Sequence, residues 1–322
     1  MADLEIASFA DDREWDRFVV DSPQGSVFAT SAFLRALGED RERLCVRENG
    51  LPVLAAPVLL RDGVPLPLPC SYTQYLGPMF SAAVELQPSH RRIPFKLRVL
   101  DFLLAHMAGR WSRISFSLHP AFDDARAFQW FHYHAPELGR FVIDLAYSGR
   151  LALNPAGDLD GLLNQIRTVR RQEFRKTEAL GYTVEESRDC VTLDRLHELT
   201  FTRQGIERGE SEVRLLRSIT SAALDEGFGH CLIARAPTGE AASAVLFLYD
   251  HDTAYYLVGA NDPAYRKMGT GTWLLIQAIE MARRNGRRYV DFVGINSPNR
   301  GDFKTSFGAL PAACFNVRWS RP

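Results

Sequence analysis

The sequence predicts an α/β protein built from two tandem copies of one unit, each a mixed central sheet flanked by helices. Three observations lead there. The order helices, strand meander, long helix, strand, short helix, strand is legible twice along the 322 residues. Each half has a turn signal between apolar runs, Asn49-Gly50 in the first and Thr238-Gly239 in the second. The chain is 46% hydrophobic, enough at this length for two domains of ordinary size. Duplication of a unit of roughly 150 residues is the economical reading. It places the units at 1–152 and 153–322, with a linker at Asn154-Pro155 to Gly157.

In the first half, Trp15, Phe18 and Val19, then Phe33, Leu34 and Leu37, have helical spacing. "RLCVRENGLPVLAAPVLL" reads as two strands around Asn49-Gly50, because a tight primed turn needs residues that tolerate positive φ. A Pro-rich passage leads to "SYTQYLGPMF". A helix from about Phe95 to Met107 follows, then the strand "RISFSL", a short helix over 122–131 and the strand "GRFVIDL". The second half opens with helices around 162–180, 193–203 and 213–224. "HCLIARAPTGEAASAVLFLYDHDTAYYLVGA" then reads as three strands. A helix over 272–284, the strand "RRYVDFVG", a short helix over 302–307 and the strand "ACFNVRW" complete the repeat.

Composition narrows the function. A net charge of -1 argues against a general nucleic-acid coat, while leaving room for a local basic patch. The five cysteines are scattered without a Cys-x-x-Cys pair, so neither a disulfide framework nor a zinc site is expected. His132 and His134 have no acidic or cysteine partner nearby, and no metal site is expected there. The start "MADLEIASFADD" has no apolar core. The longest apolar stretch, "LPVLAAPVLL", is too short to span a bilayer and is broken by Pro57. A cytoplasmic protein without membrane insertion is the expectation. No Gly-x-Ser-x-Gly and no Walker loop occurs, which argues against a covalent acyl-enzyme and against nucleotide hydrolysis.

Two loops and one helix carry candidate chemistry. "GANDPAYRKMGTGTWLL" sets Arg266, Lys267, Gly269 and Gly271 directly ahead of a helix. Glycines let the backbone approach a bound group, and the free N–H groups of a helix start favour an anion such as pyrophosphate. The alternative is a plain turn, and the first half has no matching glycine loop. Arg167, Arg171 and Arg175 recur every fourth residue and fall on one helix face, widened by Arg170 and Lys176. Such a stripe suits phosphate, which the guanidinium fork grips through two hydrogen bonds; a solvated face balanced by Glu173 and Glu178 is the plain reading. "DFVGINSPNRGDFKTSFGA" breaks from a strand into turn-forming and hydrogen-bonding residues. There Asn296 and Arg300 are candidates for binding polar donor atoms. Asp291 is either a general base or the anchor of the loop. Tyr255 and Tyr256 lie in the strand before the glycine loop. Arg203-Gln204 at a helix end, and Tyr72, Gln74 and Tyr75 in the first half, are candidate acceptor contacts.

These segments together resemble a known group. "WDRFVVDSPQGSVFATSAFLRAL", "TVRRQEFRKTEALGYTVEES", "LTFTRQGI" and the closing Lys-x-x-Phe-Gly loop, in that order over nearly the whole chain, are similar to Fem-like transferases. That group comprises tandem-GNAT proteins of the FemABX or BioF-associated acetyltransferase type. GNAT is the acyl-CoA N-acyltransferase superfamily, which places its CoA pyrophosphate loop where the Arg-x-x-Gly-x-Gly pattern stands here. The resemblance implies two GNAT-like domains, with the donor loop and active cleft in the second. It implies amide formation without a covalent enzyme intermediate and without a tightly bound cofactor. The donor is aminoacyl-tRNA, as in the better-known members, or alternatively acetyl-CoA or acyl-CoA. The acceptor is an amine on a peptide, a cell-wall precursor or a small metabolite. A non-catalytic binding protein is the remaining alternative. The resemblance also gives Lys304 the task of stabilising charge at the donor end, with Phe303 beside it as packing or as a pocket wall.

Overall fold

The computed structural model describes residues 3–203 and 205–322, and the chain divides into two compact units. One unit comprises Met1–Ala146 with Ala313–Pro322, and the other Tyr147–Ala312. The expected boundary after Ala152 lies at the end of strand Val142–Ala152, and the division after Ala146 lies within that strand. The last residues group with the first unit.

The first unit opens with a strand that the sequence pattern did not announce, Leu4–Ser8 (β1), followed by helices Asp12–Asp21 (α1) and Ser31–Ala36 (α2). The hairpin Asp40–Glu48 (β2) and Leu51–Arg61 (β3) turns at Asn49 and Gly50, whose φ values of 51° and 78° are those a primed turn requires. Short strands Val64–Pro65 (β4) and Met79–Phe80 (β5) both pair with β3. Helices Ala82–Glu85 (α3) and Ser89–Arg110 (α4) follow, then Arg113–Ser117 (β6), Arg126–Trp130 (α5) and the start of Val142–Ala152 (β7). Leu100, Leu103, Leu104 and Met107 of α4 are buried, which is the face their spacing predicts. They share one core with Phe116, Phe128, Val317 and Trp319.

The second unit carries helices Leu159–Gln165 (α6) and Thr168–Ala179 (α7), strand Thr183–Glu186 (β8) and helices Cys190–Thr202 (α8) and Glu210–Asp225 (α9). The strands Gly229–Arg235 (β9), Ala241–Tyr249 (β10) and Thr253–Asn261 (β11) form the antiparallel meander. Helix Thr270–Arg284 (α10), strand Tyr289–Asp291 (β12), helix Pro298–Thr305 (α11) and strand Leu310–Ser320 (β13) complete the chain. Within this unit the strand order runs from the end of β7 through β12, β11, β10 and β9 to β8, and among the described residues only β11–β12 is parallel. The single helix expected over 162–180 is two helices. Ile166 and Arg167 are extended there, and the Arg167 N–H donates to the Ser306 carbonyl at 2.9 Å. Leu274, Ile279, Val290, Phe292 and Phe307 belong to a second, separate core. Among the described residues no helix is long and apolar enough to cross a membrane.

Candidate active site

The second unit's sheet opens beside its one parallel pair. β11 and β12 pair only over Thr253–Tyr255 and Tyr289–Asp291. Beyond that the chain after β12 turns to β7: the Phe292 N–H donates to the Gly149 carbonyl at 2.8 Å, and Ile295 N–H to the Tyr147 carbonyl at 2.9 Å. Tyr256 to Asn261 of β11 is left without a strand partner on that side among the described residues. In open α/β sheets ligands bind beyond the carboxyl ends of parallel strands, which is where this wedge lies. β11 also carries an extra residue here, Leu257, opposite the Leu246-Phe247 step of β10.

Lys304, on α11, lines the wedge. It is only 8% exposed. Its ammonium donates to the carbonyls of Val293 at 2.7 Å and Gly294 at 2.9 Å, and lies 5.9 Å from the centre of the Tyr256 ring. Burial, assisted by Arg300, pushes its pKa from 10.5 down to about 8, against the opposing pull of Asp291. The carbonyls it holds belong to a left-handed turn, with φ of 41° at Val293 and 74° at Gly294. That conformation is strained for a β-branched residue, so it persists only where the surroundings hold it. Asp291, 1% exposed, holds the turn from the other side. Its Oδ1 accepts from the Val293 N–H at 2.8 Å and from the Ser148 hydroxyl. The two halves of the opening strand-to-loop segment are thus clamped by one carboxylate and one ammonium.

Tyr255 points away, with its hydroxyl on Asp250 at 2.6 Å. Tyr256 meets Phe247 and Phe292, and burial raises its pKa. A methyl group on Gly259 would fall 1.7 Å from the Tyr256 hydroxyl, so only glycine leaves room for that ring. Asn296 bonds the backbone of Tyr147 through both ends of its amide, at 2.7 and 3.1 Å. Arg300 is exposed.

A recess of about 200 Å³ lies at the start of α10. Gly269, φ +81°, caps the helix without a side-chain bond, and Gly271 follows. Arg266 and Arg170 supply positive charge, and Phe303 forms one wall. The Arg170 guanidinium lies 4.9 Å over the Phe303 ring. Phe303 packs on Phe307, Phe307 on Phe292, and Phe292 on Tyr256, an aromatic path from recess to wedge. Helix α7 closes over the glycine loop. The Lys176 ammonium donates to the Lys267 carbonyl at 3.2 Å, and the Thr177 hydroxyl to that of Met268. Glu173 enters the recess itself. It accepts from the Thr272 hydroxyl and from Arg170, each at 2.6 Å.

The arginine stripe divides by partner. Arg167 forms a two-bond ion pair with Asp302, at 2.9 and 3.0 Å, and Arg170 turns into the recess. Arg171 donates to the Thr168 hydroxyl at 2.9 Å, and Arg175 is exposed. Lys267 is exposed beside the recess. Arg203 caps α8 and is exposed, while Gln204 lies outside the described residues. Tyr75 is buried in the first unit against Phe28 and His119, Tyr72 is partly buried, and both have left-handed backbones. Ser148, Thr272 and Gly259 are not singled out in the sequence, and Glu173 reads there only as balancing the arginine stripe.

Burial pushes the Cys45 thiol up to about 11 and the Cys231 thiol to about 12, so neither offers a neutral-pH thiolate. No group of three or more His, Cys, Asp or Glu residues able to hold a metal occurs among the described residues.

Residues 164–305 match the acetyltransferase (GNAT) domain family. Among solved structures, FemX superposes with a TM-score of 0.71 at 15% identity over 97% of this chain and 96% of its own. A tandem GNAT protein from the clavulanic acid biosynthesis pathway gives 0.53 at 14% identity, covering 99% and 98%. The chain has a Fem-like tandem-GNAT fold. L-PGS from Bacillus licheniformis shares it, with a TM-score of 0.54 at 14% identity over 98% of this chain and 94% of its own. No curated protein matches the sequence. With the GNAT domain spanning the wedge, Lys304 and the glycine loop, this tandem-GNAT protein is an acyltransferase.

Proposed function

We propose that this protein transfers an aminoacyl group from aminoacyl-tRNA to an amine acceptor. The observation that carries this reading over a CoA donor is the filling of the α10 start. Glu173 lies against Thr272 in the place a pyrophosphate needs, and the recess of about 200 Å³ is below the size of ordinary cofactor pockets. A second anion there would face a like charge. Outside the recess, Arg171, Arg175 and Lys267 offer cations to a phosphate backbone, and Arg266 stands at its edge. In the transfer the acceptor nitrogen bonds the ester carbonyl carbon and the ester C–O bond breaks. The acceptor gives up one proton and the ribose oxygen takes one. Lys304 sets a positive charge at the wedge where negative charge develops on oxygen, the kind of term that usually dominates such catalysis. Asp291 holds the turn whose carbonyls fix Lys304.

The test is binding of charged tRNA across a range of salt. The expected log–log slope is negative and becomes shallower by about 2 in Arg171→Ala with Arg175→Ala. A slope unchanged by the double variant would remove this face from the tRNA contact.

A further inference from the structure

We propose that the first unit holds an oxyanion-binding recess, lined by Arg92, Lys96 and Arg126. Both units run long helix, strand, short helix, strand, and in both a recess lies between the long helix's first turns and the short helix: α10 with α11, and α4 with α5. The two share a chemical plan. In the second unit a cation, Arg170, is bound by Glu173 and lies over Phe303. In the first, Lys96 donates to Glu85 at 2.8 Å and lies 4.7 Å over Phe80 and 5.7 Å over Phe122.

The first recess is larger, about 620 Å³, and has no glycine loop beside it, so side chains rather than backbone would hold the ligand. Lys96 is 7% exposed and, among the described residues, makes one hydrogen bond, to Glu85; an ammonium has three donors. Its other carboxylate neighbour is Asp123, 3.6 Å away, with a side chain 75% exposed. That distance is beyond a hydrogen bond. Asp123 thus stands at the mouth as a loosely held anion opposite a buried cation. A phosphate or carboxylate group takes that position and gains Lys96 without disturbing Glu85. Arg92 and Arg126 flank it. Asp124, tied to Arg126 at 2.9 Å, is the competing carboxylate, and Ile93, Ile143 and Phe315 line the apolar part.

The experiment is calorimetric titration of the full chain carrying Arg170→Ala, which disables the recess of the second unit. Inorganic phosphate and succinate are titrated separately at constant ionic strength. Saturable binding is expected at about 10 mM or below. It should tighten severalfold in Asp123→Asn, which removes the anion facing Lys96 at the mouth, and weaken about tenfold in Arg126→Ala. Both substitutions are at exposed side chains, so folding is not at stake. Binding of phosphate alone or of succinate alone, with those responses, supports the recess and identifies its group. No saturable heat with either anion, or heat that both variants leave unchanged, overturns it.

Discussion

Lys304 shows what one side chain contributes here. Folding buries an ammonium, and three hydrogen-bonding atoms of one turn meet it or its partner Asp291. The folded protein releases this proton near pH 8, whereas the unfolded chain keeps it to about 10.5. Between those values the unfolded state binds more protons, so this group's contribution to stability rises with pH across that window and is least below it. In thermal denaturation between pH 7 and about 10.5 the stability of the protein relative to Lys304→Met should rise with pH; parallel curves would contradict the burial account. The transfer rate should behave oppositely. It falls as pH passes about 8, because the positive charge is lost. A rate flat through that range would take Lys304 out of charge stabilisation.

At the scale of elements, the start of α10 is a fitted joint. A side chain on Gly271 would come within 2.2 Å of the Asn261 Oδ1, which itself accepts from the Ser243 hydroxyl at 2.8 Å. Gly271→Ala should therefore destabilise the protein by about 1–3 kcal/mol in urea denaturation; an unchanged midpoint would mean that Asn261 moves freely. This joint also marks what a sequence reveals. Gly269 and Gly271 read in the sequence either as a close approach of the backbone to a bound group or as a plain turn. What approaches Gly271 was not legible: the neighbour is Asn261 of the preceding strand. The three-strand meander and α10 were legible because their apolar periods are long and bounded by turns. The strand β1 was not, because Leu4–Ser8 is short and only partly buried. Arg170 fell within the stripe by spacing, yet its direction is set by Ser306 and Glu173, which lie elsewhere in the chain or on the next turn. Helical spacing fixes a face, not a partner.

At the scale of the whole molecule, the duplication is not a simple concatenation. Residues 313–322 group with the first unit, where Asn316–Ser320 pairs with β6 and Val317 and Trp319 are buried. Residues 1–152 expressed alone should lack a cooperative unfolding transition, and adding residues 313–322 through a linker should restore it. A fragment that unfolds cooperatively without them would show that those contacts are dispensable. The same scale carries the functional claim, since a tandem-GNAT protein need not use the donor its fold first suggests. The measurement that tests this most directly is side-by-side binding of charged tRNA and acetyl-CoA to the purified protein. The account predicts saturable, salt-sensitive tRNA binding and no saturable acetyl-CoA binding, because Glu173 occupies the α10 start. Saturable acetyl-CoA binding that Arg266→Ala abolishes, without tRNA binding, would contradict it.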